Sequence, residues 1–268
     1  MMAEGKADYH IHSCYSDGTL TPAELVRKYS KEGYTRIAVT DHDGTDGIKE
    51  AMEEGKACGL EVIPGIELST EHHEIEVHIL GYGFDPDNSA LQNTLGELRR
   101  SRRQRNEKMR IALRKLGFPL EEEDLRQRPE QRYVGKPNFA RALAAKGYIA
   151  NPKEAFTPGF CLEAPEIKVL KKKMVSTEQG ITLITQAGGS AVLAHPGKIK
   201  KIGKRGSREF WECFERLLQE WISFGLKGIE CYYPEHSEEE VKNFIHLAEK
   251  YDLGITRGSD FHGTDLKK

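Results

Sequence analysis

The chain has 268 residues, which is enough for one large domain or two small ones. The formal net charge of −2 argues against a general affinity for nucleic acid, and no apolar run approaches the roughly 20 residues that a membrane helix needs. Five scattered cysteines without a CxxC pair argue against a disulfide framework or a thiolate zinc site. The N-terminus lacks an apolar signal-peptide core, so we expect a cytoplasmic protein, and nothing points to an obligate protein partner.

Short β-rich segments alternate with helical segments along the chain, which is typical of an α/β fold. Seven strands are predicted, at residues 8–12, 36–40, 61–67, 74–82, 190–194, 228–232 and 254–258. Thr21, Pro22 and Glu24 form a capping-box pattern, which predicts the start of a helix that ends near Gly33. Further helices are predicted at 47–57, with a stop at Gly59, and at 208–224 and 238–251.

Potential metal ligands stand at or near the C-terminal ends of six of these strands. They are His10, His12, Asp17, His42, Glu67, His78, His195, Asp260 and His262. The βα loops of a parallel barrel converge at one rim, whereas an open doubly wound sheet serves its ligand from one or two loops. The pattern therefore favours a closed or nearly closed barrel with a polynuclear metal site. No GxGxxG or GxxxxGK[ST] motif follows a strand, so a nucleotide cofactor is not expected.

Residues 91–165 break the alternation, and we interpret them as a mainly helical insertion that covers the active site of a barrel formed by 1–90 and 166–268. One helical face is predicted from the spacing of Leu91, Leu95, Leu98, Arg102, Arg105, Met109, Ala112 and Leu116. Arg102 and Arg105 then lie on a stripe that should be apolar, so both need an anionic partner. Two interpretations stay open. In the structural one, the arginines form a salt bridge to an acid of the domain, or the helix breaks near Gly96. In the functional one, they contact a phosphate in the barrel mouth.

The mixture of imidazoles and carboxylates suits Mn, Fe or Zn. Hydrolysis of a phosphoester needs an activated water, neutralised phosphoryl oxygens and a stabilised leaving group. Two metal ions about 3.5–4 Å apart supply all three. A carboxylate has to bridge two such ions, and Glu67 is the best candidate for it.

Several motifs, in this order, resemble those of the PHP (polymerase and histidinol phosphatase) family. They are His10-Ile11-His12 with Asp17, Asp41-His42-Asp43, Gly65-Ile66-Glu67-Leu68-Ser69, His78, Ala194-His195-Pro196-Gly197 and Ser259-Asp260-Phe261-His262-Gly263. The resemblance implies a distorted (β/α)7 barrel with a trinuclear metal centre, in agreement with the seven predicted strands. The chain ends six residues after His262, where members of the family usually continue with further structure.

The resemblance also implies three sets of metal ligands. The first is His10, His12, Glu67 and Asp260, the second is Glu67, His78 and His195, and the third is Asp17, His42 and His262. A hydroxide that bridges the metals would attack phosphorus in line, which makes Asp17 and Glu67 catalytic as ligands. Asp43 is a candidate general acid, and Asp41 is expected to orient a ligand imidazole. We expect His72, His73 and His246 to lie on the surface, because no motif surrounds them.

Six further residues are candidates for substrate binding: Arg102, Arg105, Asn106, Lys136, Lys198 and His236. Lys198 follows the His195 motif, and His236 follows the sixth predicted strand, so both should face the rim. Lys136 lies in Val134-Gly135-Lys136-Pro137-Asn138, which resembles a phosphate-contacting segment of the family's small phosphoesterases. The family more often has Arg and His where Lys136 and Asn138 stand, and lysine lacks the bidentate fork of arginine.

The leading functional hypothesis is a metal-dependent phosphoesterase that acts on a small nucleotide. The helical insertion and its arginines resemble the subgroup that hydrolyses nucleoside 3′,5′-bisphosphates or trims short 5′-phosphorylated RNA. Histidinol-phosphate hydrolysis is an alternative, but recognition of an amine would call for acids at the rim. A non-catalytic nucleic-acid-binding module is an alternative of another class, which the complete set of ligands argues against.

Overall fold

The structure is a computed structural model that describes residues 5–126, 128, 131 and 133–263. Its strands are β1 (Lys6–Ile11), β2 (Tyr34–Val39), β3 (Glu61–His72), β4 (Ile75–Tyr82), β5 (Val175–Ser176), β6 (Ser190–Leu193), β7 (Gly228–Tyr232) and β8 (Gly254–Arg257). Its helices are α1 (Pro22–Lys31), α2 (Ile48–Cys58), α3 (Ser89–Lys115), α4 (Lys136–Ala145), α5 (Pro165–Lys168), α6 (Thr177–Gln186), α7 (Arg208–Ser223) and α8 (Glu238–Lys250). No helix in this part of the chain is long and apolar enough to cross a membrane.

Seven strands form one distorted barrel in the order β1-β2-β3-β4-β6-β7-β8. β1, β2 and β3 are parallel neighbours, as are β6, β7 and β8. The ring closes beside β1, where Ile11 bridges Phe261 and the His12 amide donates to the Phe261 carbonyl at 2.9 Å. The α/β class and the distorted barrel expected from the sequence are therefore confirmed.

Strand β4 departs from the expected parallel arrangement, since it runs antiparallel to both β3 and β6. Only His73 and Glu74 connect β3 to β4, and both have positive φ angles, 48° and 61°. Such a two-residue turn can join only antiparallel strands. His78 consequently lies in the middle of β4, opposite Ser69, and not at the end of a parallel strand as we had expected.

The local signals at helix ends agree with the structure. The Thr21 hydroxyl accepts from the Glu24 amide at 3.1 Å, and the Glu24 carboxylate accepts from the Thr21 amide at 2.8 Å, so α1 begins with the predicted capping box. Helix α2 ends at Gly59, whose φ of 68° suits glycine. Helix α4 lies in the segment predicted to be mainly helical, without bounds of its own. Helices α5 and α6 and the short strand β5, which pairs with β3, were not predicted.

Helix α3 runs without interruption through Gly96, so the alternative of a break there is wrong. Its first half packs on the barrel through Leu91, Leu95 and Leu98. Its second half contributes Met109 and Leu113 to a separate apolar core that extends to Ile167. The existence of two cores supports a division into barrel and insertion, but the boundaries at 91 and 165 stay a proposal, because the same helix serves both cores.

The largest apolar core lies between the sheet and the helices packed on it. Its fully buried members include Trp221, Phe210, Phe214 and Phe244, and each such side chain stabilises the fold by about 1.5–3 kcal/mol. On β1, Ile11 packs towards α1, so His10 and His12 point to the opposite side of the strand. The barrel therefore keeps an apolar exterior under its helices and places polar side chains inside its mouth.

Candidate metal centre

The carboxylate of Glu67, on β3, is surrounded by five imidazoles from four different segments. Glu67 is fully buried. Its Oε2 lies 3.3 Å from His10 Nε2, 3.3 Å from His12 Nε2 and 3.0 Å from His42 Nδ1, and its Oε1 lies 2.7 Å from His78 Nδ1 and 2.8 Å from His195 Nε2. One oxygen faces one group of rings and the other oxygen faces a second group. This is the arrangement that a carboxylate shared by two cations requires.

Asp260 completes the group at the end of β8. One of its carboxylate oxygens lies 3.4 Å from His10 Nε2 and 3.2 Å from His12 Nε2. The other accepts from Lys198 Nζ and from the Tyr233 hydroxyl, both at 2.9 Å. Asp260 has a φ of 51°, a conformation that costs a non-glycine residue free energy and that clusters at functional sites.

A third group forms around Asp17, in the loop that follows β1. Asp17 Oδ1 lies 3.2 Å from His262 Nε2, and Oδ2 lies 3.8 Å from His42 Nε2. The ring of His12 stacks on that of His262, with centroids 4.1 Å apart. Ligand atoms of His12, Asp17, His42 and His262 all lie within 4.8 Å of one another. All nine residues predicted as metal ligands are thus close neighbours in one centre.

The unsatisfied polar atoms of this centre fit a metal-binding role. His10 Nε2, His12 Nε2, Asp17 Oδ1, His42 Nδ1 and Glu67 Oε2 are buried and lack a hydrogen-bond partner. Buried polar atoms are normally paired, because an unpaired one costs free energy. Here the unpaired atoms converge, and each is a nitrogen or oxygen ligand suited to a divalent transition metal. The residues present therefore fit a polynuclear metal site.

The charges in this cluster are strongly coupled. Burial by itself would raise the pKa of Glu67, but His42, His10 and His78 hold that pKa well below its ordinary value. Burial would lower the pKa of the rings, yet nearby acids raise it to about 10 for His12 and to about 9 for His78. The carboxylates thus favour protonation of His12 and His78, whereas burial lowers the pKa of His42. A bound metal would displace such protons.

Glu230, on β7, is a buried acid of this centre that sequence reasoning missed. Its Oε1 contacts His10 Nδ1 at 3.0 Å, and its Oε2 accepts from the His195 amide at 2.7 Å. The contact with Nδ1 leaves Nε2 of His10 directed at Glu67 and Asp260. A Cβ at Gly258 would lie 2.2 Å from Glu230 Oε1 and from His10 Cβ, so only glycine fits beside this pair. The available signal was an acid between Ile229 and Cys231 in the predicted strand 228–232.

Asp41 makes its direct contacts with a loop, and it reaches an imidazole only through Ser16, whose hydroxyl lies 3.5 Å from His12 Nδ1. Its carboxylate accepts from the Ser13 amide at 2.8 Å and from the Ser13 and Ser16 hydroxyls at 2.6 Å each. These bonds fix the turn that precedes Asp17. Asp41 therefore positions the loop that carries the proposed ligand Asp17.

The contacts of Asp43 argue against the general-acid role expected from the sequence, and that role stays a prediction. It is paired with Arg102 and lies 3.6 Å from Lys172 Nζ, and it accepts from the Ser69 amide at 2.9 Å. Burial alone would raise the pKa of Asp43, but Lys172 and Arg102 lower it below its ordinary value. A carboxylate held ionised in this way has no proton to donate.

The two arginines on the apolar stripe of α3 have different partners. Arg102 is paired with Asp43, as the salt-bridge alternative required, and it donates to the Tyr133 hydroxyl at 2.7 Å. The Tyr133 ring stacks on that of His42, with centroids 5.7 Å apart. Arg105 is 7% exposed and has no ion pair among the described residues. Burial and the charge of Arg102 lower the pKa of Arg105 to about 10.

The other candidates for substrate binding differ in how far their polar groups are already engaged by the protein. Asn106 donates to the Val134 carbonyl at 2.9 Å, and Lys136 lies 3.7 Å from Glu163 and is one-third exposed. Lys198 is held at the rim by Asp260. His236 uses both ring nitrogens, at 3.0 Å from the Cys231 carbonyl and 3.2 Å from the Gly197 amide. His236 therefore supports the turn after His195. Because both ring nitrogens are engaged, this geometry argues against direct contact between His236 and a substrate.

Comparison with known proteins agrees with this centre. The family model of the PHP domain matches residues 8–231. The chain is 31% identical to the 3′,5′-nucleoside bisphosphate phosphatase of Chromobacterium violaceum, over 95% of this chain and 86% of that protein. It is 30% identical to a 5′-3′ exoribonuclease of Haemophilus influenzae, over 96% of this chain and 90% of that protein. A solved structure from Bifidobacterium adolescentis, described as a metal-dependent phosphoesterase, superimposes with a TM-score of 0.83 at 28% identity and covers 98% of this chain and 90% of that one. The chain therefore belongs to the PHP domain family.

Proposed function

We propose that the protein is a metal-dependent phosphoesterase that hydrolyses a phosphate monoester of a small nucleotide. The favoured substrates are a nucleoside 3′,5′-bisphosphate and a short 5′-phosphorylated RNA, met in the cytoplasm. The observation that carries the proposal is the buried Glu67 carboxylate with five imidazoles around it. The relatives are named as a phosphatase, an exoribonuclease and a phosphoesterase, which supports hydrolysis of a phosphoester.

The nine ligand residues would hold two or three divalent ions of Mn, Fe or Zn. His10, His12, Glu67 and Asp260 would hold one ion, Glu67 with His78 and His195 a second, and Asp17 with His42 and His262 a third. When bound, such ions activate a water for attack on phosphorus and neutralise the phosphoryl oxygens. Glu230 orients His10 for this purpose, because it occupies the other ring nitrogen.

The substrate phosphoryl group would also meet cations that belong to the chain. Lys198 lies beside Asp260, with its ammonium 4.7 Å from the centre of the Tyr233 ring. Tyr233 donates to the same carboxylate oxygen, so lysine and tyrosine together fix that side of the rim. A phosphoryl oxygen near Asp260 could accept from the remaining N–H groups of Lys198 without displacing it.

A second phosphate on the substrate would bind to Arg105. A buried guanidinium without an anion is costly, and a phosphate is an anion that arginine binds with two parallel hydrogen bonds. Lys136 and Lys172 lie in the same electrostatic neighbourhood, since both feel the charge of Arg105. Arg102 is already neutralised by Asp43. Arg105, and not Arg102, is therefore the main candidate to bind the second phosphate. A nucleotide with two phosphates would then bind better than one with a single phosphate.

The same cations disfavour histidinol phosphate, because the free amine of that substrate would be repelled by Arg105, Lys136 and Lys172. The set of potential metal ligands disfavours a non-catalytic module. Its buried nitrogen and oxygen atoms lack hydrogen-bond partners, and this costs stability unless they bind a metal ion.

The test uses the Mn-reconstituted protein and measures phosphate release from adenosine 3′,5′-bisphosphate, adenosine 3′-monophosphate and histidinol phosphate. For a short 5′-phosphorylated RNA it measures release of nucleoside monophosphate. We expect kcat/KM for the bisphosphate to exceed that for the monophosphate, with no release from histidinol phosphate. Equal turnover of both adenosine nucleotides would contradict the second-phosphate site. Turnover of histidinol phosphate alone would overturn the nucleotide assignment and leave the metal centre in place.

A further inference from the structure

A second group of metal-ligating side chains lies outside the Glu67 centre, at the tip of the β3–β4 hairpin. His72 Nε2 lies 2.9 Å and His73 Nε2 lies 3.8 Å from Glu220 Oε2. One ligand atom from each of the three residues falls within 4.8 Å of the others. The sequence had suggested that His72 is a surface residue, but only 8% of it is exposed.

The backbone brings the two histidines together in a way that a regular strand would not. Consecutive side chains of a strand point to opposite faces, so His72 and His73 should diverge. His73 instead begins the hairpin turn with a φ of 48°, and the ring centroids lie only 4.2 Å apart. A bulky residue with positive φ is uncommon and indicates a local constraint. The turn thus directs both rings towards Glu220 on α7.

The electrostatic surroundings of Glu220 favour a cation. Glu220 lies in the last turn of α7, where the backbone carbonyls carry a partial negative charge, and this turn contains no basic residue. A carboxylate at this end of a helix is repelled by the helix dipole. A divalent ion between Glu220 and the two imidazoles would compensate the carboxylate and the carbonyls together.

The distances also suit coordination. Zinc binds imidazole nitrogen and carboxylate oxygen at about 2.0–2.2 Å, so tetrahedral ligands lie about 3.3 Å apart. The observed separations of 2.9 Å and 3.8 Å lie on either side of this value. His72 is held in place by the edges of Trp221 and Phe224, each 6.0 Å away between ring centroids. The His73 side chain is 75% exposed and that of Glu220 is 41% exposed, so both can adjust to an ion.

We propose that His72, His73 and Glu220 form a second site for a divalent transition-metal ion, with Zn²⁺ as its typical occupant. The ion would fasten the tip of the β3–β4 hairpin to the end of α7. That hairpin carries Glu67 and His78, so occupancy of the site would stiffen two residues of the main centre from a distance. The site is independent of the proposed activity, because none of its three ligands belongs to the Glu67 centre.

Equilibrium dialysis against Zn²⁺ tests the proposal on the full chain. The variants are His73→Asn, in which asparagine tolerates the positive φ, and Glu220→Gln. The matched control is His246→Gln, an exposed histidine on α8 that lies outside the cluster. We expect both variants to bind one equivalent of zinc fewer than the wild type, while the control binds the same number. Retention of the full zinc content by either variant would overturn the proposal.

A second measurement locates the ion directly. Crystals of the wild-type protein grown with Zn²⁺ should show an anomalous peak at the zinc edge between His72, His73 and Glu220, in addition to peaks at the Glu67 centre. An anomalous signal confined to the Glu67 centre would show that the three side chains form only a hydrogen-bonded cluster. Neither measurement depends on turnover, so failure of the phosphoesterase proposal would leave this test unaffected.

Discussion

Arg102 on α3 donates to the buried carboxylate of Asp43, which follows β2. The two residues are 59 positions apart, and they join the insertion to the rim of the barrel. Asp43 is adjacent to the proposed ligand His42, and the ring of Tyr133 connects Arg102 to His42 on the other side. This pair therefore fixes α3 against the loop that carries His42.

Replacement of Arg102 should destabilise the protein. In Arg102→Gln, Asp43 would lose its closest cation in a buried environment, and such a loss costs about 3–5 kcal/mol in the free energy of unfolding, less the share that Lys172 can compensate. Urea denaturation followed by circular dichroism measures the effect. Arg103→Gln is the matched control, because Arg103 is the exposed neighbour on the same helix. Equal stability of the two variants would contradict the structural role of the pair.

Replacement of Arg105 should have the opposite effect on stability. Arg105→Gln removes a buried charge that has no ion-pair partner in the described structure, so the free energy of unfolding should stay the same or rise. The KM for adenosine 3′,5′-bisphosphate should rise about 10- to 100-fold, since a hydrogen bond to a charged group contributes about 1.5–3 kcal/mol.

The substrate comparison makes that prediction specific. The KM for adenosine 3′-monophosphate, which lacks the second phosphate, should change little in Arg105→Gln. Arg103→Gln again serves as the control and should keep the wild-type KM for both nucleotides. A similar loss of affinity for both substrates in Arg105→Gln would show that Arg105 acts through folding of the insertion and not through the second phosphate.

The parts of the centre that could be predicted are those with a local signal. Histidines and acids at the ends of strands, such as His12, His195 and Asp260, could be placed on one rim because parallel strands end there. The capping box of Thr21 and Glu24 and the glycine at position 59 marked helix ends through short-range backbone chemistry. These features depend on neighbouring residues only, so the order of residues is enough to find them.

The parts that could not be predicted depend on contacts between distant segments. The His73-Glu74 turn lacks the glycine or asparagine that usually marks a two-residue hairpin, so the reversed direction of β4 had no signal. The partners of Arg102 and Asp43 come from different segments, so the sequence could state that a charge needs a partner but not which one. Glu230 was overlooked because it lies inside its strand, whereas ligands were sought at the ends of strands.

Glu230 is predicted to act as a positioning residue for metal binding. Glu230→Gln weakens the contact with His10 Nδ1 and with the His195 amide, and loss of such a supporting group lowers metal affinity by about 10- to 100-fold. Activity should therefore require a higher Mn²⁺ concentration, while kcat at saturating Mn²⁺ recovers most of its value. Glu238→Gln, at the exposed start of α8, is the control. An unchanged Mn²⁺ dependence would contradict this role.

The Arg205–Glu240 pair should contribute stability that depends on pH. Arg205 donates to Glu240 at 2.8 Å, and this hydrogen bond lowers the pKa of Glu240 from 4.5 to about 2. Because the pKa is lower in the folded state, the contribution is complete above pH 4.5 and disappears as the pH falls towards 2. Glu240→Gln keeps the capping geometry of α8 and removes the charge.

Urea denaturation as a function of pH measures this contribution. At pH 7 the Glu240→Gln variant should be less stable than the wild type by about 1–2 kcal/mol, and the two proteins should converge near the lower end of the range. Glu239→Gln, an exposed neighbour in the same helical turn, should match the wild type throughout. A difference between Glu240→Gln and the wild type that stays constant with pH would contradict the assignment.

The most direct test of the account is the joint measurement of bound metal and phosphate release for the wild type and His10→Ala. His10 contacts Glu67, Asp260 and Glu230, so its loss should empty at least one metal position. We predict that the wild type binds at least two equivalents of Mn²⁺ and releases phosphate from adenosine 3′,5′-bisphosphate. The variant should bind less metal and lose nearly all activity. A wild type that binds no divalent metal, or a variant that keeps full turnover, would contradict the central claim that this centre is a metal-dependent phosphoesterase site.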